Sequence, residues 1–344
     1  MDAAKERKVD AAGKQPGTPN PFVRFFRYAV KNFDKWKAWI YLLPAIILLL
    51  IFTVWPIINT VRISFLEDYN LMKATRGATF SFGFKNYAEV FEVDGFLDCM
   101  KTTMILCFIT VPLSTFIALL ISVCLNAIKP FKRFLQTIFF IPYVTNSIAI
   151  GMVFAAMFNI VGSFLGTNAE IIESPGIINS IIRFITGNSS FYINWINAGS
   201  DYFHNILVMI IYITWHALPF KILILLGGLQ SVNKQYYEAA KVDGTSRVRT
   251  FWRITVPMLS PMIAYVVITG FIGGFKEYSS IVGIFGNTMG PAGDKGRLNT
   301  MVGFIYDSLS NNVGRASAAA LVLFGIILIV TLINLWVSKK RVHY

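Results

Sequence analysis

Two groups of residues in this 344-residue chain have types and spacing that could do chemistry. The first lies in apolar surroundings. Tyr212, Trp215, His216 and Pro219 recur at i, i+3, i+4 and i+7, which puts them on one helical face. Tyr265, Thr269, Gly273 and Lys276 recur at i, i+4, i+8 and i+11, again one face, and Tyr278 follows them. Asn146 stands in a polar triplet, Thr145-Asn146-Ser147, inside another apolar run. Rings beside neutral hydrogen-bonding groups suit a sugar, which has apolar ring faces and many hydroxyls. The same faces also suit helix packing, with Gly270, Gly273 and Gly274 allowing close approach. Both readings stay open at this point. The second group is the polar stretch YEAAKVDGTSRVRTFWRITVP, residues 237–257.

Several chemistries are excluded. No G-x-x-x-x-G-K-[ST] loop is present, so the chain is not expected to bind ATP by itself. No H-E-x-x-H, C-x-x-C or G-x-S-x-G occurs, and His204, His216 and His343 are scattered. Cys99, Cys107 and Cys124 have no metal spacing and read as small buried side chains. Asn188-Ser189-Ser190 is a sequon of the kind that chance supplies often. No catalytic centre, metal site or bound cofactor is expected.

The elements that must position these residues are membrane helices. The chain is 55% hydrophobic and only 14% charged, against about 25% charged in soluble domains. Its apolar residues cluster in runs of roughly the 20 residues needed to cross a bilayer core. We read six spans, at 40–61, 103–125, 138–158, 206–229, 262–285 and 318–337. The predicted fold is an all-α polytopic membrane helix bundle. With the N-terminus inside, 20 of the 31 Lys and Arg fall in inside segments (1–39, 126–137, 230–261, 338–344) and 9 outside. This asymmetry puts both termini in the cytoplasm, and it accounts for the net charge of +13 without nucleic acid. Trp36, Trp39 and Trp336 fit interfacial anchors. Residues 1–38 read as a polar, partly disordered cytoplasmic tail, and 39–344 as the transmembrane domain. The segments 62–102, 159–205 and 286–317 lie outside; the first two read as small ordered caps, with a short amphipathic helix after Pro175-Gly176. Lys276 and Glu277 are adjacent and so point to different faces, and Lys221 is placed to snorkel toward the inner surface.

The polar stretch resolves into a cytoplasmic hairpin. Asn233 is a suitable N-cap for a helix through Val242, Asp243-Gly244 breaks it, and Ser246 can cap a second helix to about Thr255, with Pro257 just past its end. Ala239 and Ala240 leave room for a partner surface, although a basic hairpin could also lie on anionic lipid.

A family resemblance enters here. Membrane subunits of binding-protein-dependent ATP-binding-cassette importers carry E-A-A, three residues, Gly, nine residues, then I-x-L-P. This sequence has Glu238-Ala239-Ala240, then Gly244, then Ile254-Thr255-Val256-Pro257 at the same spacing, with Val256 where Leu is usual. LLPAIILLLIFTVWPIINTVRISF (42–65), FGFKNYAEVF (82–91), Phe140-Ile141-Pro142 and Gly314-Arg315-Ala316-Ser317-Ala318 also resemble that family, so the likeness spans about residues 38–340. The chain looks like a maltose-type permease subunit. The resemblance implies a type I importer permease fold in the bacterial cell membrane and a non-catalytic pore subunit for a sugar or oligosaccharide. It implies a second permease subunit, two ATPase subunits that hold ATP and Mg, and an extracytoplasmic solute-binding protein. It assigns ATPase coupling to Glu238, Ala239, Ala240, Gly244, Ile254 and Pro257. Alternatives are the same importer type for glycerol phosphate or peptide, and a secondary transporter, which would have no need of the hairpin.

Overall fold

The computed structural model describes residues 33–128, 132–165 and 169–341. Most of the expected tail lies outside these residues; its last part is already helical, because α1 (Phe33–Leu49) begins inside it. Contacts divide the chain into a first unit ending at Thr60 and a second beginning at Val61.

α1 passes through a π turn, Leu50–Val54, into α2 (Trp55–Ser64). Pro56 has no N–H to give to the carbonyl four residues back, and the helix widens just before it: the Trp55 N–H reaches Leu50 O instead. None of the most apolar stretch of Tyr41–Ser64 is buried. Such an apolar, unburied surface suits a bilayer, where lipid or another membrane chain covers it.

The second unit is built on two long helices, α4 (Phe96–Ala127) and α8 (Tyr202–Ser231), which make the most extensive helix contact. The reason is in α4. Thr103, Thr110, Ser114, Thr115, Ala118 and Ser122 are all buried and small enough for close approach. The hydroxyls of Thr103, Ser114, Thr115 and Ser122 bond back to the preceding turn, as in Thr103 Oγ1 to Cys99 O (2.7 Å) and Ser122 Oγ to Ala118 O (2.7 Å), so these are not left bare in the bilayer. Around this pair stand α5 (Lys132–Val144), α6 (Ser147–Phe158), α11 (Ser260–Phe275), α12 (Ser279–Phe285), α13 (Met301–Leu309) and α14 (Val313–Arg341).

Among the described residues four helices are long and apolar enough to cross a membrane, and six crossings result if two bent pairs each count as one. The bends correct the sequence reading. The expected third span is two helices meeting at 104°. Asn146 is extended there, and its Oδ1 accepts from Ile148 N and Ala149 N, so it starts α6 afresh. The expected fifth span stops at Phe275, and α12 is a separate short helix. Glu277 makes that break, its Oε1 accepting from Tyr278 N and Ser280 N. α12 then lies so close to α6 that a Cβ added to Gly151 would sit 2.6 Å from Gly283 Cα.

The segments between spans are ordered. After α2, helix α3 (Lys85–Glu92) docks through buried Asn86, whose Nδ2 donates to Ser64 O (3.0 Å) and Leu66 O (2.9 Å). Lys85 Nζ lies 2.8 Å from Asp68, and the hydrogen bond and charge of that carboxylate hold the ammonium above its ordinary range. Segment 159–205 holds an antiparallel hairpin, β1 (Val161–Leu165) and β2 (Ala169–Ser174), which the sequence reading did not foresee. The expected amphipathic helix is α7 (Gly176–Thr186). Buried Asn179 organises it, bonding Pro175 O, both backbone groups of Ile193 and Trp195 Nε1. Arg297 Nη1 ties segment 286–317 to this cap through Ser200 O at 3.0 Å.

Candidate functional site

A cavity of about 290 Å³ opens between α4, α8 and α11, with Tyr143 of α5 on its wall. Tyr143 and Phe220 form a stacked pair, centroids 5.7 Å apart and planes at 19°. Tyr265 is 6.5 Å from Phe220 and extends the aromatic surface. Thr110, Ser114, His216, Thr269 and Glu277 supply polar groups. A flat apolar stack facing a ring of hydroxyl, imidazole and carboxylate groups is suited to a molecule with an apolar face and a hydroxylated edge.

The residues singled out in the sequence divide. His216 and Thr269 line the cavity. Tyr212 is fully buried; its hydroxyl donates to Ser147 O at 2.5 Å and its ring packs on Phe154 at 5.0 Å. Trp215 also packs on Phe154 at 5.0 Å, and stays partly exposed. Asn146 spends its carbonyl on the α6 cap. Lys276 is exposed at the end of α11, and Tyr278 lies 4.8 Å from Tyr306. Because the chain turns after Phe275, Glu277 and not Lys276 reaches the cavity. Tyr143 and Phe220 escaped notice because they sit on different helices, and no spacing rule joins them. Glu277 had a signal, as one of two charges at the end of an apolar run.

Lys221 corrects another expectation. It does not snorkel; only 4% of it is exposed. Its Nζ donates to Val111 O (3.1 Å), Ser114 Oγ (2.7 Å) and Thr115 Oγ1 (2.9 Å) of α4. The two hydroxyls give their own hydrogens to Thr110 O and Val111 O, which leaves their lone pairs for the ammonium. Glycine at 270 makes room for it: a Cβ there would sit 3.2 Å from Nζ. Lys221 thus clamps α8 to α4. Lys221→Ala is expected to cost about 2–4 kcal/mol, from three lost charge-assisted bonds and a void. Lys221→Met, which keeps the volume, is expected to cost less. Thermal unfolding in detergent measures both, and an unchanged midpoint for the alanine variant contradicts the clamp.

The polar hairpin forms as its caps dictate. Asn233 Oδ1 accepts from Gln235 N and starts α9 (Lys234–Val242). Gly244, at φ +66°, ends it: Gly244 N bonds Lys241 O (3.1 Å) and Thr245 N bonds Ala240 O (2.9 Å), the paired bonds of a Schellman stop. Ser246 Oγ accepts from Arg249 N and starts α10 (Arg247–Met258). α10 runs on through Pro257 to Met258, past the stop expected before Pro257. A π turn at Phe251–Thr255 accommodates it: the Val256 N–H reaches Phe251 O just before the proline, which has no N–H to donate. Tyr237 OH lies 3.3 Å from Thr255 Oγ1 and joins the two helices. Ala240 is buried, Ile254 and Pro257 are half-buried, and Glu238, Ala239 and Gly244 are exposed. Tyr236, Val242, Val248 and Trp252 are exposed beside them.

A sequence profile of the binding-protein-dependent transport system inner membrane components matches residues 110–343, which include the hairpin and all the cavity-lining residues named above. The chain belongs to that family. It is a multi-pass permease subunit of a bacterial cell membrane transporter. The permease is 27% identical to the lactose transport system permease protein of Rhizobium radiobacter, over 90% of this chain and 95% of that one. It is also 27% identical to the arabinooligosaccharides transport system permease protein of Bacillus subtilis, over 96% and 94%. Its fold matches the crystal structure of a bacterial alginate ABC transporter in complex with an alginate pentasaccharide-bound periplasmic protein. The TM-score is 0.70, with 20% identity, covering 91% of this chain and 98% of that one.

Proposed function

We propose that the permease forms the pore of an ATP-driven importer for a sugar or oligosaccharide. The observation that carries this reading is the stacked Tyr143–Phe220 pair facing Thr269, His216 and Glu277 across one cavity. Relatives named for lactose and arabinooligosaccharide transport support the same substrate class. A periplasmic solute-binding protein delivers the sugar, as the alginate-bound complex illustrates for its own transporter. A second permease subunit completes the pore. ATP and Mg are held by two partner ATPases, since this chain has no phosphate loop. The α9–Gly244–α10 hairpin docks on them, with Glu238, Ala239 and Ala240 on the docking helix and Ile254 and Pro257 holding its base.

The test is uptake of a panel of labelled oligosaccharides by the reconstituted importer. Tyr143→Ala and Phe220→Ala are each expected to lower uptake of the carried sugar about tenfold, the worth of one aromatic stacking contact. Uptake that both variants leave untouched removes the cavity from the path.

A further inference from the structure

The cavity is lined by one lysine and one glutamate, and they are not equally available. Lys221 lines it, yet all three of its N–H groups are committed to α4. A carboxylate entering the cavity would find no free donor on that ammonium without breaking the clamp. Glu277 is the reverse case. One oxygen, Oε1, accepts from Tyr278 N and Ser280 N, both at 3.1 Å. Its other oxygen, Oε2, has no hydrogen-bond partner among the described residues and is not among the fully buried unpartnered atoms, and the residue that carries it lines the cavity. Among the described residues no carboxylate–ammonium pair joins Glu277 to Lys221 within 4.0 Å, so neither neutralises the other by contact. The directional charge that a passing molecule meets is therefore an acceptor.

We infer that Glu277 sets the charge preference of the permease: it favours neutral, hydroxyl-bearing sugars and turns away uronates and sugar phosphates. The inference rests on the sugar-importer reading above. A pair of sugar hydroxyls can donate to Oε2, and hydrogen bonds to a charged acceptor are stronger than neutral ones. An anionic substituent at the same place faces like charge in a pocket of low dielectric, where repulsion is poorly screened. A site whose polar group is built to accept rejects a ligand that cannot donate. The role is distinct from the cap. Oε1 alone serves the start of α12, so the cap leaves Oε2 free for the substrate.

Glu277→Gln separates the two roles. Glutamine keeps a carbonyl oxygen for Tyr278 N and Ser280 N, and replaces Oε2 by an amide donor. The importer is reconstituted whole, with its solute-binding protein and ATPases. Uptake is measured for the neutral oligosaccharide that the wild type carries and for the same sugar oxidised to a uronate at one C6. The solute-binding protein is identical in every arm, so its own preference cancels when permease variants are compared. Glu277→Gln is expected to lower kcat/KM for the neutral sugar about tenfold and to raise the uronate-to-neutral uptake ratio by at least about tenfold. Glu277→Asp, which keeps the charge, is expected to retain the wild-type ratio. A ratio that is unchanged in Glu277→Gln overturns the inference even where the sugar is still carried. A wild-type importer that carries no saccharide at all overturns the parent reading instead.

Discussion

Gly244→Val abolishes ATP-driven uptake while the assembled importer survives: this is the expected result at the hairpin. The residue sits at φ +66°, where a β-branched side chain is a steric outlier. The local cost is of order 1–2 kcal/mol, too little to unfold a bundle of this size. It is enough to open the Gly244–Lys241 and Thr245–Ala240 bonds that fix the angle between α9 and α10. If the hairpin docks on the ATPases as proposed, a wrong angle keeps it from conveying movement to the pore, and transport is expected to fall by at least about a hundredfold. Gly244→Asn is the control, because asparagine tolerates the left-handed conformation, and it should keep most activity. Glu238→Lys, which reverses an exposed charge on the docking helix, should lose transport without touching the turn. Uptake by the purified complex, alongside its elution position, reads all three. Normal uptake by Gly244→Val would refute the coupling role.

The second large effect lies between α6 and α12. A Cβ on Gly151 would come within 2.6 Å of Gly283 Cα, and one on Gly283 within 2.9 Å of Gly151 Cα. The obstacle on each side is backbone, which no rotamer change can move. Gly151→Leu must therefore push α12 off α6 and drag Ile281 and Ile284 out of their buried cluster. The expected cost is about 3 kcal/mol or more, beyond ordinary overpacking. Gly227 and Gly325 lie in helices with open space around the missing side chain. Their alanine variants should be neutral or gain up to about 1 kcal/mol from helix propensity. Melting of the detergent-solubilised permease distinguishes the three, and a Gly151→Leu protein as stable as wild type refutes the close approach.

What could be read from the sequence was what is local. Asn233, Gly244 and Ser246 each act within a few residues of themselves, and the hairpin they predict is the hairpin found. The apolar runs located the helices for the same reason. Interruptions were harder. Thr145-Asn146-Ser147 and Lys276-Glu277 were visible as polar residues inside expected spans, but a polar residue in an apolar run can cap a helix or face a ligand. Asn146 does the first. Glu277 caps with one oxygen and is also one of the residues that line the cavity. Nothing local tells them apart, since the difference lies in what packs opposite. Lys221 was misjudged on the same ground. Snorkelling is the default for a lone lysine in an apolar helix, and Ser114, Thr115 and Val111 on another helix offer it something better. The Tyr143–Phe220 stack needed both helix directions at once.

The widened turn at Phe251–Thr255 has a mechanical meaning. A π turn holds one residue more than the α-helix it interrupts, and one residue is roughly 100° of helical rotation. Everything before Phe251, including Val248 and the α9 surface beyond it, is therefore turned by about a quarter-circle relative to where an uninterrupted α10 would aim it. Leu50–Val54 and Pro56 stand in the same relation as Phe251–Thr255 and Pro257, with a single residue between turn and proline in both places. The hairpin is in this sense an arm whose azimuth is set by one supernumerary residue, with a proline beside it to keep that residue from being reabsorbed into the spiral.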